Sequence, residues 1–256
     1  MRGTFSSVTG SVVSRHAARI GSAPFLFPAA LILPLSGRPP WITNDSTKEP
    51  ETTSDVIADT LTEAVDLTRE RAWETLTRYT QSDPLRRHAL AVEAAVRAYA
   101  RRFGEDEELW GVVALLHDFD YEIHPTLDKH PQDGAALLRE EGYPEHVIEA
   151  ILSHAQHLGL PRDTPLKRTL FACDELAGFI HACGLVRPDG IQTLEPKSVR
   201  KKLKQPSFAA GVNRDDVYQG AEELGVDLDE HIAFVTEAMR SIAAELGLRT
   251  AADVSA

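Results

Sequence analysis

Apolar residues recur along most of the chain at spacings of three and four, the period of an amphipathic α-helix. The clearest stripe runs from Leu85 to Phe103, and Gly104 ends it. No alternating run of β-branched residues of strand length interrupts the stripes. The pattern therefore predicts an all-α fold, a single helical bundle over residues 56–250. The marking positions are Leu85, Ala89, Val92, Val96, Tyr99 and Phe103; Val112 to Leu116; Val147, Ile151 and Ala155; Leu166, Leu170 and Ala177; and Ile232, Val235, Met239, Ile242 and Leu246.

Residues 1–55 do not share this pattern. The stretch Met1–Asn44 has no acidic residue, and prolines interrupt its apolar part, Phe25–Leu35, which is too short to span a bilayer. A secretory signal or transit peptide is the alternative, but no clean small-residue cleavage site follows. We therefore expect residues 1–55 to form a disordered extension and linker, and residues 251–256 to form a short tail.

Composition narrows the class of protein. With 256 residues and 43% hydrophobic content, the chain can bury one full-sized core. The formal net charge of -12 argues against a nucleic-acid polymer as partner, because such binders present a basic face. The two cysteines, Cys173 and Cys183, form no CxxC pair, which indicates neither a disulfide framework nor a zinc ribbon. A reducing cytoplasm fits this usage, and we expect no membrane partner.

Several histidine and aspartate residues fall on the apolar faces of these predicted helices. His117-Asp118 ends the apolar run 112–116, and His130 precedes Pro131 at the start of a helix expected to run to Glu141. A single histidine on such a face is more often a hydrogen-bonded core residue than a ligand. A core that buries several imidazoles and carboxylates must satisfy each of them, and a shared metal ion would do so. The inward-facing candidates are His88, His117, Asp118, His130, His154 and Asp174.

The remaining histidines are less informative. His157 lies one turn after His154 and is a candidate ligand, substrate contact or hydrogen-bond donor to a ligand. Others show no such convergence, and we expect them to be ordinary residues. They are His16, His146, His181 and His231.

The order His88, His117-Asp118, Asp174 resembles the H…HD…D signature of the HD-domain (HDIG-type) metal-dependent phosphohydrolase superfamily. The added His130-Pro131 and His154 resemble its subgroup with two metals. Local stretches look like those of a group of small stand-alone predicted HD hydrolases, and the resemblance covers about Thr68 to Leu248. The stretches are Arg87–Glu93, His117–Glu122 and Ala172–Leu176.

This resemblance implies a ligand set and a reaction. A first metal would be held by His88, His117, Asp118 and Asp174, and Asp118 would bridge to a second metal bound by His130 and His154. Histidine and carboxylate ligands suit one or two ions of iron, manganese, zinc or nickel, and magnesium is a further candidate. Two ions about 3.5–4 Å apart acidify a bridging water and clamp the attacking and leaving oxygens of a phosphoryl transfer.

Two departures from better-known branches of the superfamily matter. The residues after His117-Asp118 are Phe119–Glu122 rather than Gly-Lys. The GYP signature is also missing from its place downstream, because Gly142-Tyr143-Pro144 lies upstream of His154 and indicates a helix break. Cyclic di-GMP hydrolysis is therefore not expected. Tyr121 stands where the monometal nucleotidases place an acid. A proton donor to the leaving group must therefore come from elsewhere. The catalytic candidates are Asp118, Asp120, Lys129 and Glu175.

A basic run between Lys197 and Lys204 stands out in this acidic chain. A solvated helix face is the ordinary explanation of such a run. Alternatively, it attracts a substrate phosphate and, with the following segment, covers the metal centre as a lid. The candidate phosphate contacts are Arg200, Lys201, Lys204 and Arg214.

Taken together, these features favour a cytoplasmic hydrolase that cleaves a phosphoester or phosphoanhydride of a nucleotide or another small phosphorylated metabolite. Two other classes stay open. Di-iron oxygenases of the same superfamily use the same six ligands, so bound iron with oxygen consumption would indicate oxidative chemistry. A non-catalytic phosphate sensor would change shape on binding a ligand without turnover.

Overall fold

The computed structural model describes residues 66–250 and 252–253 of the chain, and no β-strand occurs among them. The expected all-α fold is confirmed for this part of the protein. The expected N-terminal extension, residues 1–55, lies outside the described residues. The helices are α1 Arg69–Tyr79, α2 Asp83–Phe103, α3 Glu107–Leu116, α4 Gln132–Glu140, α5 Glu145–Leu152, α6 Pro165–Leu185, α7 Pro196–Leu203, α8 Arg214–Leu224 and α9 Leu228–Arg240, with a 3-10 turn at Gln156–Leu158.

Local sequence explains where α3 and α6 begin and where α2 ends. The side chain of Asp106 accepts hydrogen bonds from the backbone N–H groups of Glu108 and Leu109 and so caps α3. Thr164 caps α6 in the same way, one residue before a proline at the first helical position. Gly104 ends α2 in the left-handed conformation, with φ of 76°, which glycine adopts without steric cost.

Helices α2 and α6 form the centre of the bundle. α2 packs against α3, α6 and α9, while α6 also packs against α8 and α9. The approach of α8 to α6 is close, because a Cβ on Gly220 would lie 2.7 Å from the Cα of Ala172. Both central helices are buried over most of their length, so polar side chains on their inner faces need partners.

Two predicted helices are shorter than the apolar stripes indicate. α5 ends at Leu152, so Ala155 and His154 lie in the turn that follows rather than on the helix. α9 ends at Arg240, and Ile242 and Leu246 lie in turns after it. Leu246 is nevertheless fully buried. The apolar positions continue because the turns also pack on the core, and periodicity alone does not separate the two cases.

Among the described residues, no helix combines the length and the apolar character that a membrane crossing requires.

Candidate metal centre

The six candidate ligands arrive from separate parts of the chain and meet at one place. Two lie at the end of α3, and one lies on each of the central helices. The other two lie outside helices, in the segment between α3 and α4 and in the turn after α5. His117 and Asp118 follow α3, His88 lies on α2 and Asp174 lies on α6. His130 lies between α3 and α4, and His154 lies after α5.

The first group of ligand atoms comes from His88, His117, Asp118 and Asp174, and all four atoms lie within 4.8 Å of one another. The Nε2 atoms of His88 and His117 are 3.2 Å apart. Oδ1 of Asp174 lies 3.0 Å from Nε2 of His88 and 3.3 Å from Nε2 of His117. Two nitrogens and carboxylate oxygens therefore face a common point.

The second group shares one residue with the first. Oδ1 of Asp118 lies 3.2 Å from Nε2 of His130 and 3.4 Å from Nε2 of His154. Its other oxygen, Oδ2, lies 3.6 Å from Nε2 of both His88 and His117. Each group thus receives a different oxygen of the same carboxylate, which is the arrangement that a bridging ligand needs.

Hydrogen bonds behind the imidazole rings fix their orientation. Nδ1 of His117 donates to the carbonyl oxygen of Ala114 at 2.7 Å, and Nδ1 of His154 donates to that of Ile151 at 2.6 Å. A nitrogen that donates to a carbonyl carries the hydrogen, so the neutral ring directs the lone pair of Nε2 into the cluster. Metal-binding histidines are held in this way in many proteins.

The histidines and carboxylates of the cluster shift one another's pKa values. Burial disfavours a charged His117, but the carboxylates of Asp118 and Asp174 outweigh it and raise the pKa of His117 to about 9. Burial likewise opposes ionisation of Asp118 and Asp174, and the neighbouring histidines prevail and lower the pKa of both carboxyl groups. Without a metal, protons on the histidines balance the two carboxylates.

The residues present fit a divalent metal. The Nε2 atoms of two imidazoles 3.2 Å apart can share a proton or bind one cation, and the carboxylates of Asp118 and Asp174 beside them favour positive charge at that point. Imidazole nitrogens mixed with carboxylate oxygens form a donor set that suits iron, manganese, zinc and nickel. The same six residues that the sequence nominates are the ones that the fold brings together.

The three other candidate proton donors differ in their placement. Glu175 follows Asp174 directly, and burial together with the charge of Asp174 raises its pKa to about 7. Lys129 is exposed. Asp120 is fully buried, with Oδ1 2.9 Å from Nδ1 of His130. Its position behind a ligand does not support the expected role of Asp120 as a proton donor to the substrate.

The remaining site candidates are not part of either ligand group. His157 is exposed on the 3-10 turn. Arg200 is exposed on α7 and pairs with Asp229 at 3.3 Å. Arg214 donates to the carbonyl oxygens of Ala209, at 2.8 Å, and Val212, so it holds the segment between α7 and α8. This use of its guanidinium does not support the expected phosphate contact.

The segment between α7 and α8 does reach the edge of the site. The backbone of Asn213, the cap of α8, favours the ionised form of Glu175, which neighbours a candidate ligand. Phe208 packs edge-on against Phe179 of α6, with ring centroids 5.5 Å apart. Lys201 and Lys204 are exposed near the start of this segment. The lid hypothesis stays a prediction, with these two lysines as its free cations.

Sequence reasoning missed His124. Its Nδ1 lies 3.3 Å from Oδ2 of Asp120, on the side of that carboxylate away from His130. The chain offers one signal for it, since His124-Pro125 repeats the His130-Pro131 pair six residues earlier. By contrast, His231 is an ordinary core residue, as expected. Both of its ring nitrogens form hydrogen bonds, one with the hydroxyl of Tyr99 and one with the carbonyl oxygen of Ala172.

Comparison with known proteins identifies a family match over the part of the chain that contains the candidate ligands. A family model described as HD domain matches residues 85–178, a range that begins in α2, ends in α6 and contains all six candidate ligands. No curated protein and no solved structure gives a significant match.

Proposed function

We propose, from the premise that this chain carries an HD domain at residues 85–178, that it is a metal-dependent phosphohydrolase. The proposed substrate is a phosphoester or phosphoanhydride of a nucleotide or another small phosphorylated metabolite. One observation supports this above all others: Asp118 presents one oxygen to each of two groups of histidine and carboxylate ligands. Such a shared carboxylate is typical of sites that hold two metal ions.

Two divalent ions bound here would supply Lewis acidity and an activated water for attack on phosphorus. The chain's own part is to hold and orient the groups around that reaction. The carboxylates of Asp118 and Asp174 stay ionised, since their pKa values are lowered, and they provide negative charge to hold cations. The side chains of His88, Asp118 and Asp174 are 16 to 21% exposed, which leaves this side of the cluster open to a substrate.

We propose Glu175 as the proton donor among the predicted candidates. It is partly buried beside Asp174, and a pKa raised to about 7 lets it carry a proton near neutral pH. A protonated carboxyl at the edge of the cluster can donate to the leaving oxygen. Lys201 and Lys204 are the exposed cations that we propose to attract the phosphate.

Elemental analysis of purified protein, followed by a phosphatase and phosphodiesterase screen with manganese, iron, nickel or magnesium, tests the proposal. Replacing His117, a ligand of the first group, or Asp118, which both groups share, by Ala should abolish bound metal and turnover. The control is His146→Ala, because His146 is exposed on α5 and belongs to neither ligand group. Its metal content and turnover should match those of the unchanged protein.

Three results would contradict the proposal. Full turnover by metal-free His117→Ala protein would show that the cluster is not the catalytic centre. Bound iron with oxygen consumption, and no hydrolysis across the phosphate-ester panel, would instead indicate the di-iron oxygenase that the same ligand set also suits. Ligand binding without any turnover would indicate a sensor.

A further inference from the structure

Asp120 is a fully buried carboxylate that belongs to neither ligand group. It lies two residues after Asp118, in the segment between α3 and α4. Its Oδ1 is 2.9 Å from Nδ1 of His130, and its Oδ2 is 3.3 Å from Nδ1 of His124. Burying a carboxylate is costly unless it is paired, so both of these contacts contribute to keeping it in place.

The contact with Asp120 distinguishes His130 from two other histidines of the cluster, His117 and His154. His117 and His154 are oriented by backbone carbonyl oxygens three residues before them, at the ends of α3 and α5. His130 precedes α4, and its Nδ1 faces the side chain of Asp120 instead. A carboxylate behind an imidazole both fixes the ring and makes it a stronger electron donor than a carbonyl does.

Helix α4 holds the carboxylate from the other side. Gly134, in the first turn of α4, lies so close that a Cβ there would come within 2.4 Å of Cγ of Asp120. The absence of a side chain at this position therefore makes room for Asp120. The ring of His130, the ring of His124 and the backbone of α4 together leave the carboxylate little freedom.

We propose that Asp120 is a positioning residue for the second metal position, the one formed by Asp118, His130 and His154. It accepts the Nδ1 hydrogen of His130 and so directs Nε2 toward Oδ1 of Asp118, 3.2 Å away. The first position has no ligand that depends on Asp120. This inference rests on the proposed function in one respect, that the cluster holds metal ions.

Calorimetric titration of the metal-free protein with Mn²⁺ tests it, together with electron paramagnetic resonance of the loaded protein. The unchanged protein should bind two ions and show the magnetic coupling of neighbouring Mn²⁺ ions. Asp120→Asn keeps the size of the side chain but loses its charge. It should weaken the second ion about 10- to 100-fold, leave the first within twofold, and lose the coupled signal at low Mn²⁺.

Two further variants make this comparison specific. Gly134→Ala leaves the charge of Asp120 in place but forces its carboxylate aside, so it should also weaken the second ion selectively, even if Asp120→Asn fails to fold. The matched control is Glu122→Gln. Glu122 carries the same charge in the same segment, but it accepts the backbone N–H groups of Gln81 and Ser82. Both ions should bind this variant normally.

The outcomes separate this inference from the proposed function. Equal weakening of both ions in Asp120→Asn and Gly134→Ala, or no weakening of either, would overturn the positioning role while metal binding itself stands. A single ion in the unchanged protein would also overturn it, because there would be no second position to serve. No Mn²⁺ binding at all, with no metal found by elemental analysis, would overturn the proposed function as well.

Discussion

His117 and His130 carry protons in the metal-free protein at neutral pH. Burial opposes this charge in both, but Asp118 and Asp174 raise the pKa of His117 to about 9, and Asp118 and Asp120 do the same for His130. A histidine binds a metal only through an unprotonated nitrogen. At the scale of single residues, therefore, His117 and His130 must each lose a proton when a metal ion binds.

This exchange predicts that metal binding releases protons at pH 7. Each displaced proton should increase the apparent affinity for Mn²⁺ up to about tenfold per pH unit from pH 7 until the pH approaches 9, where the free histidines become neutral. Calorimetry at pH 7 in two buffers with different ionisation enthalpies measures the number of protons. A binding enthalpy that is the same in both buffers would contradict the exchange.

At the scale of helices, His231 joins the three elements at the centre of the bundle. It lies on α9, and its Nε2 donates to the carbonyl oxygen of Ala172 in α6 at 2.9 Å. Its Nδ1 then accepts from the hydroxyl of Tyr99 in α2, 2.8 Å away. Both hydrogen bonds are buried, so this histidine is held in its neutral form.

Acid should therefore loosen α9 through His231. Burial, opposed only weakly by Ala172, lowers its pKa from 6.5 to about 4 in the folded protein. The unfolded chain takes up the proton first, so this contribution to stability is complete above pH 6.5 and is lost as the pH falls toward 4. The loss is about 3 kcal/mol in the free energy of unfolding.

Urea unfolding with chelator present, at pH 7 and pH 4, measures this loss. His231→Gln keeps one donor and one acceptor at the same place but cannot be protonated. Between pH 7 and pH 4, the free energy of unfolding of this variant should therefore fall by about 3 kcal/mol less than that of the unchanged protein. Identical acid dependence in the two proteins would show that His231 titrates normally and that the loss has another source.

At the scale of the whole molecule, metal binding connects parts of the chain that are far apart in sequence. The ligands extend from His88 in α2 to Asp174 in α6, and a metal bound by them favours only the state in which both helices are packed. Binding to the folded state alone stabilises a protein by mass action.

Mn²⁺ at about 100 times its dissociation constant should therefore stabilise the fold by about 2.7 kcal/mol per ion. For a domain of this size, we expect the melting temperature to rise by about 5–10 °C. Chelator should reverse the rise, which scanning calorimetry measures. His117→Ala is the comparison, because it should show little rise. An equal rise in that variant would mean that Mn²⁺ binds elsewhere.

Prediction from sequence succeeded where a local signal exists. The α2 stripe and its end at Gly104 are encoded by neighbouring residues, and the structure has both. Prediction failed where the same apolar spacing fits either a longer helix or a turn packed on the core. The apolar positions Ile242 and Leu246 continue the α9 stripe, yet the helix ends at Arg240, and the turns after it bury Leu246 fully and Ile242 partly against the core.

Helical period predicts the all-α fold and the inward faces that carry His88 and Asp174. The other four candidate ligands lie after or between helices, and the resemblance to the H…HD…D order and its two-metal form indicates them. Packing in three dimensions brings one oxygen of Asp118 to each ligand group and the buried carboxylate of Asp120 to Nδ1 of His130. These relations join residues in turns, where no period relates position to direction. They exist only once α2, α3, α4 and α6 have packed and fixed the distances between them.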